Sequence, residues 1–261
     1  MTTCDMGARV AFKSLKDEVS PEEWEARLQL AAFYRLVDHF GFNKAPNNHM
    51  TARVPGEPDH FLINPAGYFF GEICASSLVK IDLDGNILSE APTGIVNPAG
   101  HAIHSAVLGA RPDVNCVVHL HTVPGVAVSA QKEGLKFLCQ ESMRFYGRVG
   151  FHDYEGIARA NDERERLARD LGDNFALILR NHGSLVVGRT IAEAFQLTLS
   201  FERSCEIQIA AQSSGGELVQ PSREVSEKAA NHRDARNKPI GDAPWKIYRR
   251  LADTYYPSYV N

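Results

Sequence analysis

Apolar positions recur along the chain with two different periods, and each period marks its own elements. Ser20-Pro21-Glu22-Glu23 reads as a helix start, with Ser20 as the cap, Pro21 in the first turn and Glu23 placed to close a capping box. Trp24, Leu28, Ala31 and Ala32 follow at helical spacing until Gly41 stops the run. Residues 60–63 and 78–83 predict strands, and Asp84-Gly85 is a two-residue turn into residues 86–88. Asn97-Pro98 opens a helix that runs to Gly109, and a strand follows over 114–121. A further helix is predicted from Asn161 to Gly172. Strands at 175–180 and 184–187 are separated by Asn181-His182-Gly183. Thr190 with Glu193 caps a long helix through Ala211. Residues 213–243 are polar and predict a loose connection before a short helix over 245–251. Irregular alternation of strands and helices predicts one α/β domain of three layers. Its bounds are an N-terminal extension at 1–19, the domain at 20–215 and a C-terminal arm at 216–261.

Composition narrows the function classes. Lys plus Arg number 28 against 32 Asp plus Glu, a formal net charge of -4, which gives no bulk attraction to nucleic acid or anionic lipid. The densest basic stretch, from Arg159 to Arg169, is interleaved with Asp162, Glu163 and Glu165 and reads as a solvated helix face. Five cysteines without a CxxC pair support neither a disulfide framework nor a zinc ribbon, so reduced thiols in a cytoplasm are expected. No apolar run approaches the roughly 18 residues of a membrane span. GxGxxG, Walker and GxSxG patterns are missing, which argues against nucleotide cofactors and a hydrolase elbow. Asp82-Leu-Asp-Gly85 lacks the glycine of a calcium loop at its sixth place and has Thr93 at its twelfth, so it reads as a hairpin.

The chemistry lies in the histidines. His119 and His121 alternate with Val118 and Leu120 on the strand, so both imidazoles share one face. Such a pair can chelate a metal ion, and His182 beside Gly183 is the best third ligand. By itself a His-x-His pair on a strand is also an ordinary core or surface pair. His101 and His104 share a face of the helix that leads into that strand, which offers His104 as a base or proton donor.

With these pieces in place, the chain resembles the class II aldolase/adducin superfamily. The resemblance rests on the run from Gly109 to Thr122, on Asn181-His182-Gly183, and on the 63 residues between His119 and His182. Asn48-His-Met-Thr-Ala-Arg53, Ile63-Asn-Pro-Ala-Gly67, Leu78 to Gly85 and Ser204-Cys-Glu-Ile-Gln208 match as well. It implies a central, mostly antiparallel sheet between helix layers and a homotetramer with the site completed at a subunit interface, the arm at 216–261 packing on a neighbouring subunit. It also implies one divalent metal per subunit on His119, His121 and His182, zinc first, with manganese, cobalt or iron as alternatives.

The departures from the family decide the chemistry expected. Sugar-phosphate aldolases of this family carry a Pro-Ser-Ser-Glu segment; here Asn97-Pro98-Ala99-Gly100 stands in its place. Two hydroxyls that hold a phosphate and a carboxylate that ligates and transfers protons are gone, so a non-phosphorylated hydroxy- or oxo-acid is expected, with Asn48, Asn64, Gly67 and Gly100 at the substrate. His104 takes over the lost proton transfer, with Tyr146 and Glu141 as further candidates, and the C-terminal Tyr255, Tyr256 and Tyr259 reach a neighbour's site by analogy. The reaction expected is metal-dependent C–C cleavage, aldol or decarboxylating. The alternatives are a non-haem iron oxygenase and a non-catalytic adducin-like binding module.

Overall fold

The computed structural model describes residues 12–44, 47–89, 95–156, 161–232 and 239–261. Most of the N-terminal extension and Thr93 therefore lie outside the described residues. In chain order the elements are α1 (Pro21–His39), β1 (His49–Val54), β2 (Glu57–Ile63), β3 (Val79–Asp82), α2 (Pro98–Ala110), β4 (Cys116–Leu120) and α3 (Val123–Ser129). They continue as β5 (Val149–His152), α4 (Asn161–Leu171), β6 (Ala176–Leu179), β7 (Gly183–Gly188), α5 (Ile191–Ser213), α6 (Arg223–His232) and α7 (Asp242–Tyr255). The strands form one sheet in the order β3-β2-β1-β4-β7-β6-β5. Every pairing is antiparallel except β5 with β6. The expected three-layer α/β fold with a mostly antiparallel sheet is the observed one.

Alternation along the strands divides the core into two layers. Met50, Val118, Leu120 and Val186 pack against Phe33 of α1, Phe195 and Phe201 of α5 and Trp245 of α7. Phe61, Ile81, Val117, Leu177 and Leu185 pack against Val107 of α2 and Leu167 of α4. His119 shares the second face, and β4 lies between β1 and β7, so the histidines project from the middle of the sheet beside α2.

Local chemistry sets the helix ends. Ser20 Oγ accepts from the Glu23 amide at 3.1 Å, as the pattern predicts. The Glu23 carboxylate does not return to the cap; it accepts from Arg27 at 2.9 Å and from Lys80 at 3.1 Å, so only half of the expected box forms. One expectation changes in the C-terminal region: the polar connection contains α6. Beyond it, α7 packs on α1 and α5 of its own chain. Tyr256 and Tyr259 are buried in that packing, with Tyr256 hydroxyl 2.7 Å from His39 Nδ1, while Tyr255 stays half exposed. Among the described residues, no helix is long and apolar enough to cross a membrane.

Candidate metal centre

β4 ends in His119-Leu120 with His121 the next residue, and the tight β6–β7 turn brings His182 opposite. The sequence suggests that Gly183 supplies the sharp turn, but the positive φ belongs to Asn181, at +56°. Asparagine tolerates that left-handed conformation better than most residues. Gly183 serves a different need, close approach: a Cβ there would sit 2.5 Å from the Leu120 carbonyl oxygen and 2.9 Å from His121 Cδ2.

The three imidazoles converge. One ligand nitrogen from each of His119, His121 and His182 lies within 4.8 Å of the others. His119 Nδ1 is 2.9 Å from the Ser184 carbonyl oxygen, an acceptor only, so Nδ1 carries the hydrogen and Nε2 is left with its lone pair. His121 Nε2 approaches His119 Nε2 to 2.8 Å, and the His121 backbone amide donates to Asn48 Oδ1 at 2.8 Å. Neutral imidazoles whose ring nitrogens converge on one space suit a cation, and this donor set, with no carboxylate in the cluster, fits a divalent transition metal.

Burial keeps these rings uncharged. It lowers His182 to about 4, with His121 adding to the effect. Burial also pushes His119 and His49 well below the ordinary range, and lowers His121. The unfolded chain takes up protons on these rings near pH 6.5, but the folded chain does so only lower. Between those values the unfolded state binds more protons, so stability falls as pH falls. Glu202, lifted by burial to about 7, acts in the opposite direction but is one group against several. The urea midpoint of metal-free protein is therefore expected to drop between pH 7 and pH 5; a flat or rising midpoint would contradict neutral buried imidazoles.

A relay missed in the sequence stands next to the triad. His49 on β1 is the direct partner of His119 in the β1–β4 register, and their ring centroids are 4.9 Å apart. His49 Nδ1 lies 2.8 Å from His104 Nε2, and His104 Nδ1 lies 2.6 Å from Thr51 Oγ1. The threonine hydroxyl can donate or accept, so the chain of rings is satisfied in either tautomer. His104 is fully buried behind His49, which alone of the two lines the cavity. The signal available in the sequence was the alternation of His49 and Thr51, two apart on one strand face.

Gly100 is what admits His49. A Cβ at position 100 would lie 2.8 Å from His49 Cδ2, and the ring is pinned by His104. Gly100→Ala is expected to cost about 1–3 kcal/mol by overpacking. In the His49→Ala background the same change is expected to cost little, giving a strong coupling in a double-mutant denaturation cycle. Additive losses would show that the contact is relieved elsewhere.

The cavity over the triad has a volume of about 640 Å³. Asn47, His49, Asn97, Pro98, Ala99, Ile103 and Tyr154 line it together with the three histidines. The other expected site residues sit elsewhere. Asn48 spends both side-chain groups on protein, accepting from His121 and donating to Asn43 Oδ1 at 2.8 Å, so it positions the loop. Asn64 accepts from the Tyr34 hydroxyl at 2.9 Å, and neither it nor Gly67 lines the cavity. Glu141 pairs with Arg203 at 3.3 Å in a different cavity, and Tyr146 packs on Phe137. Tyr154, whose ring is 6.4 Å from that of His182, is the phenol at this wall.

Known proteins place this architecture. Residues 28–209 match the family model described as Class II Aldolase and Adducin N-terminal domain. A crystal structure of an aldolase II superfamily protein from Pseudomonas syringae superposes with a TM-score of 0.89 at 48% identity, covering 95% of this chain and 100% of that one. L-fuculose 1-phosphate aldolase from Glaciozyma antarctica PI12 superposes with a TM-score of 0.79 at 27% identity, covering 95% and 96%. Alpha-adducin of Rattus norvegicus is 45% identical over 192 residues, which are 73% of this chain but only 26% of that protein. With the fold, the histidine triad and these matches in agreement, the chain belongs to the class II aldolase and adducin family.

Proposed function

We propose that this protein is a divalent-metal-dependent carbon–carbon lyase, an aldolase or decarboxylase, acting on a non-phosphorylated hydroxy- or oxo-acid. The observation that carries the reading is the convergence of three neutral imidazoles on a cavity whose described lining includes no lysine, arginine, serine or threonine. A phosphate dianion there would lose its hydration without charged or hydroxyl donors in return. A carboxylate or carbonyl oxygen asks less, and the Asn47 and Asn97 side chains are at hand to orient it.

His119, His121 and His182 would hold the metal, zinc, manganese, cobalt or iron, one per chain. Bound there, it supplies the Lewis acidity that polarises a carbonyl and offsets the negative charge released when the C–C bond breaks. The chain's own residues do the rest. His49 Nε2 is the ring nitrogen not engaged by His104, so it can hold or deliver a proton on the cavity side, while His104 and Thr51 fix the ring behind it. Pro98, Ala99 and Ile103 form an apolar wall that limits water around the reacting carbons. The reading extends to a homotetramer, which sedimentation velocity tests.

Activity is best tested with metal-loaded protein offered small and aromatic hydroxy- and oxo-acids, following carbon dioxide or aldehyde release with and without chelator. L-fuculose 1-phosphate serves as the phosphorylated comparison. Metal-dependent release from a non-phosphorylated acid, with the sugar phosphate turned over far more slowly, is the expected result. Preferred cleavage of the sugar phosphate would reject the substrate class. Oxygen uptake with ferrous protein would replace the lyase by an oxygenase.

A further inference from the structure

Beneath the triad lies a carboxylate that the mechanism has not used. Glu202 on α5 is 1% exposed. Its Oε2 accepts from the Thr122 hydroxyl and its Oε1 from the Ser184 hydroxyl at 3.2 Å. Among the described residues it has no lysine, arginine or histidine partner. A buried carboxyl without a cation is costly, and helix packing alone would be better served by an apolar residue.

What the two hydroxyls belong to gives the carboxyl its role. Thr122 follows His121 and caps α3, its Oγ1 accepting from the Gly125 amide at 2.9 Å. That hydroxyl has its hydrogen left over to donate, and Glu202 receives it. Ser184 lies two residues past His182, and its backbone carbonyl takes the His119 Nδ1 hydrogen at 2.9 Å. One carboxyl therefore ties the end of β4 to the start of β7, the two segments that carry all three imidazoles.

From this geometry we infer that Glu202 is a positioning residue for the metal centre: it sets the spacing of the triad by clamping Thr122 to Ser184 from behind. The inference rests on the metal-binding reading above. The ionised carboxylate, as it stands at pH 8, accepts from both hydroxyls at once, whereas an amide of the same shape accepts at one end and presents a donor at the other. Glu202→Gln thus keeps the volume and breaks one arm of the clamp. Interactions that orient ligands from behind are worth roughly 10–100-fold in metal affinity.

The test is a chelator-competition titration with Zn(II) on full-length wild type and Glu202→Gln, with the cobalt-substituted absorption spectrum recorded on each. Ser204→Ala is the control for packing. Ser204 is buried on the same helix, but its hydroxyl donates to the Ser200 carbonyl at 2.6 Å and does not touch the clamp. The expected result is at least about tenfold weaker zinc binding and an altered cobalt spectrum in Glu202→Gln, with Ser204→Ala unchanged in both. If Glu202→Gln does not fold, Thr122→Val and Ser184→Ala each remove one arm and carry the same expectation. Wild-type zinc affinity in the clamp variants overturns the inference while leaving the metal reading intact. A wild type that binds no metal overturns both.

Discussion

Replacing His119 by alanine is expected to weaken divalent-cation binding by more than about 100-fold and to remove metal-dependent turnover. Removing a residue that only orients a ligand costs roughly 10–100-fold in affinity, so removing a ligand costs more. His119 is also the central member of the cluster. Its ring lies within 5 Å, centroid to centroid, of His121 at 4.5 Å, His182 at 4.8 Å and His49 at 4.9 Å. His49, the nearest other imidazole, is tied back through its Nδ1 to His104, which holds the ring in its own place. Chelator competition on variant and wild type measures the effect, and circular dichroism separates it from unfolding. An unchanged affinity would remove the triad as the metal site.

Gly183→Ala is expected to damage fold and site together, by about 3 kcal/mol or more with a parallel loss of metal affinity. The added methyl meets the Leu120 carbonyl oxygen at 2.5 Å, and backbone held in the β4–β7 ladder, where Leu120 pairs with Ser184, cannot yield as a side chain can. Relief requires parting β4 from β7 or displacing His121, whose Cδ2 is 2.9 Å from the same point. Gly109→Ala is the contrast. It lies exposed near the end of α2 with nothing within 4 Å, and should be neutral or stabilising by about 0.5–1 kcal/mol. Equal urea midpoints for the two variants would show that the sheet absorbs the methyl.

Much of this architecture was legible because local rules and tertiary packing agree. The Ser20, Asn97 and Thr190 caps place the starts of α1, α2 and α5 where they are observed. The His119-Leu120-His121 alternation survives because β4 is truly extended. β1 was harder to see: His49-Met-Thr-Ala-Arg-Val54 alternates polar with apolar, but the strand is short and nearly all of it is buried, so its polar positions face the interior where such a pattern announces a solvent face. That concealed His49, and with it the fact that His104 reaches the cavity only through a second ring. Glu141 and Tyr146 looked eligible by residue type alone, but eligibility of a side chain carries no information about direction. Gly183 likewise showed that something unusual happens in the turn. Whether it supplies positive φ or close approach depends on strand pairing, which only the folded chain defines.

The most direct test of the central claim is the metal content of the chain purified anaerobically without added metal, read by elemental mass spectrometry beside His182→Ala. The expected result is close to one zinc, manganese, cobalt or iron ion per chain, lost in the variant. A wild-type protein that arrives empty and takes up none of these ions on titration would contradict the metal centre and leave the cavity as that of a binding module.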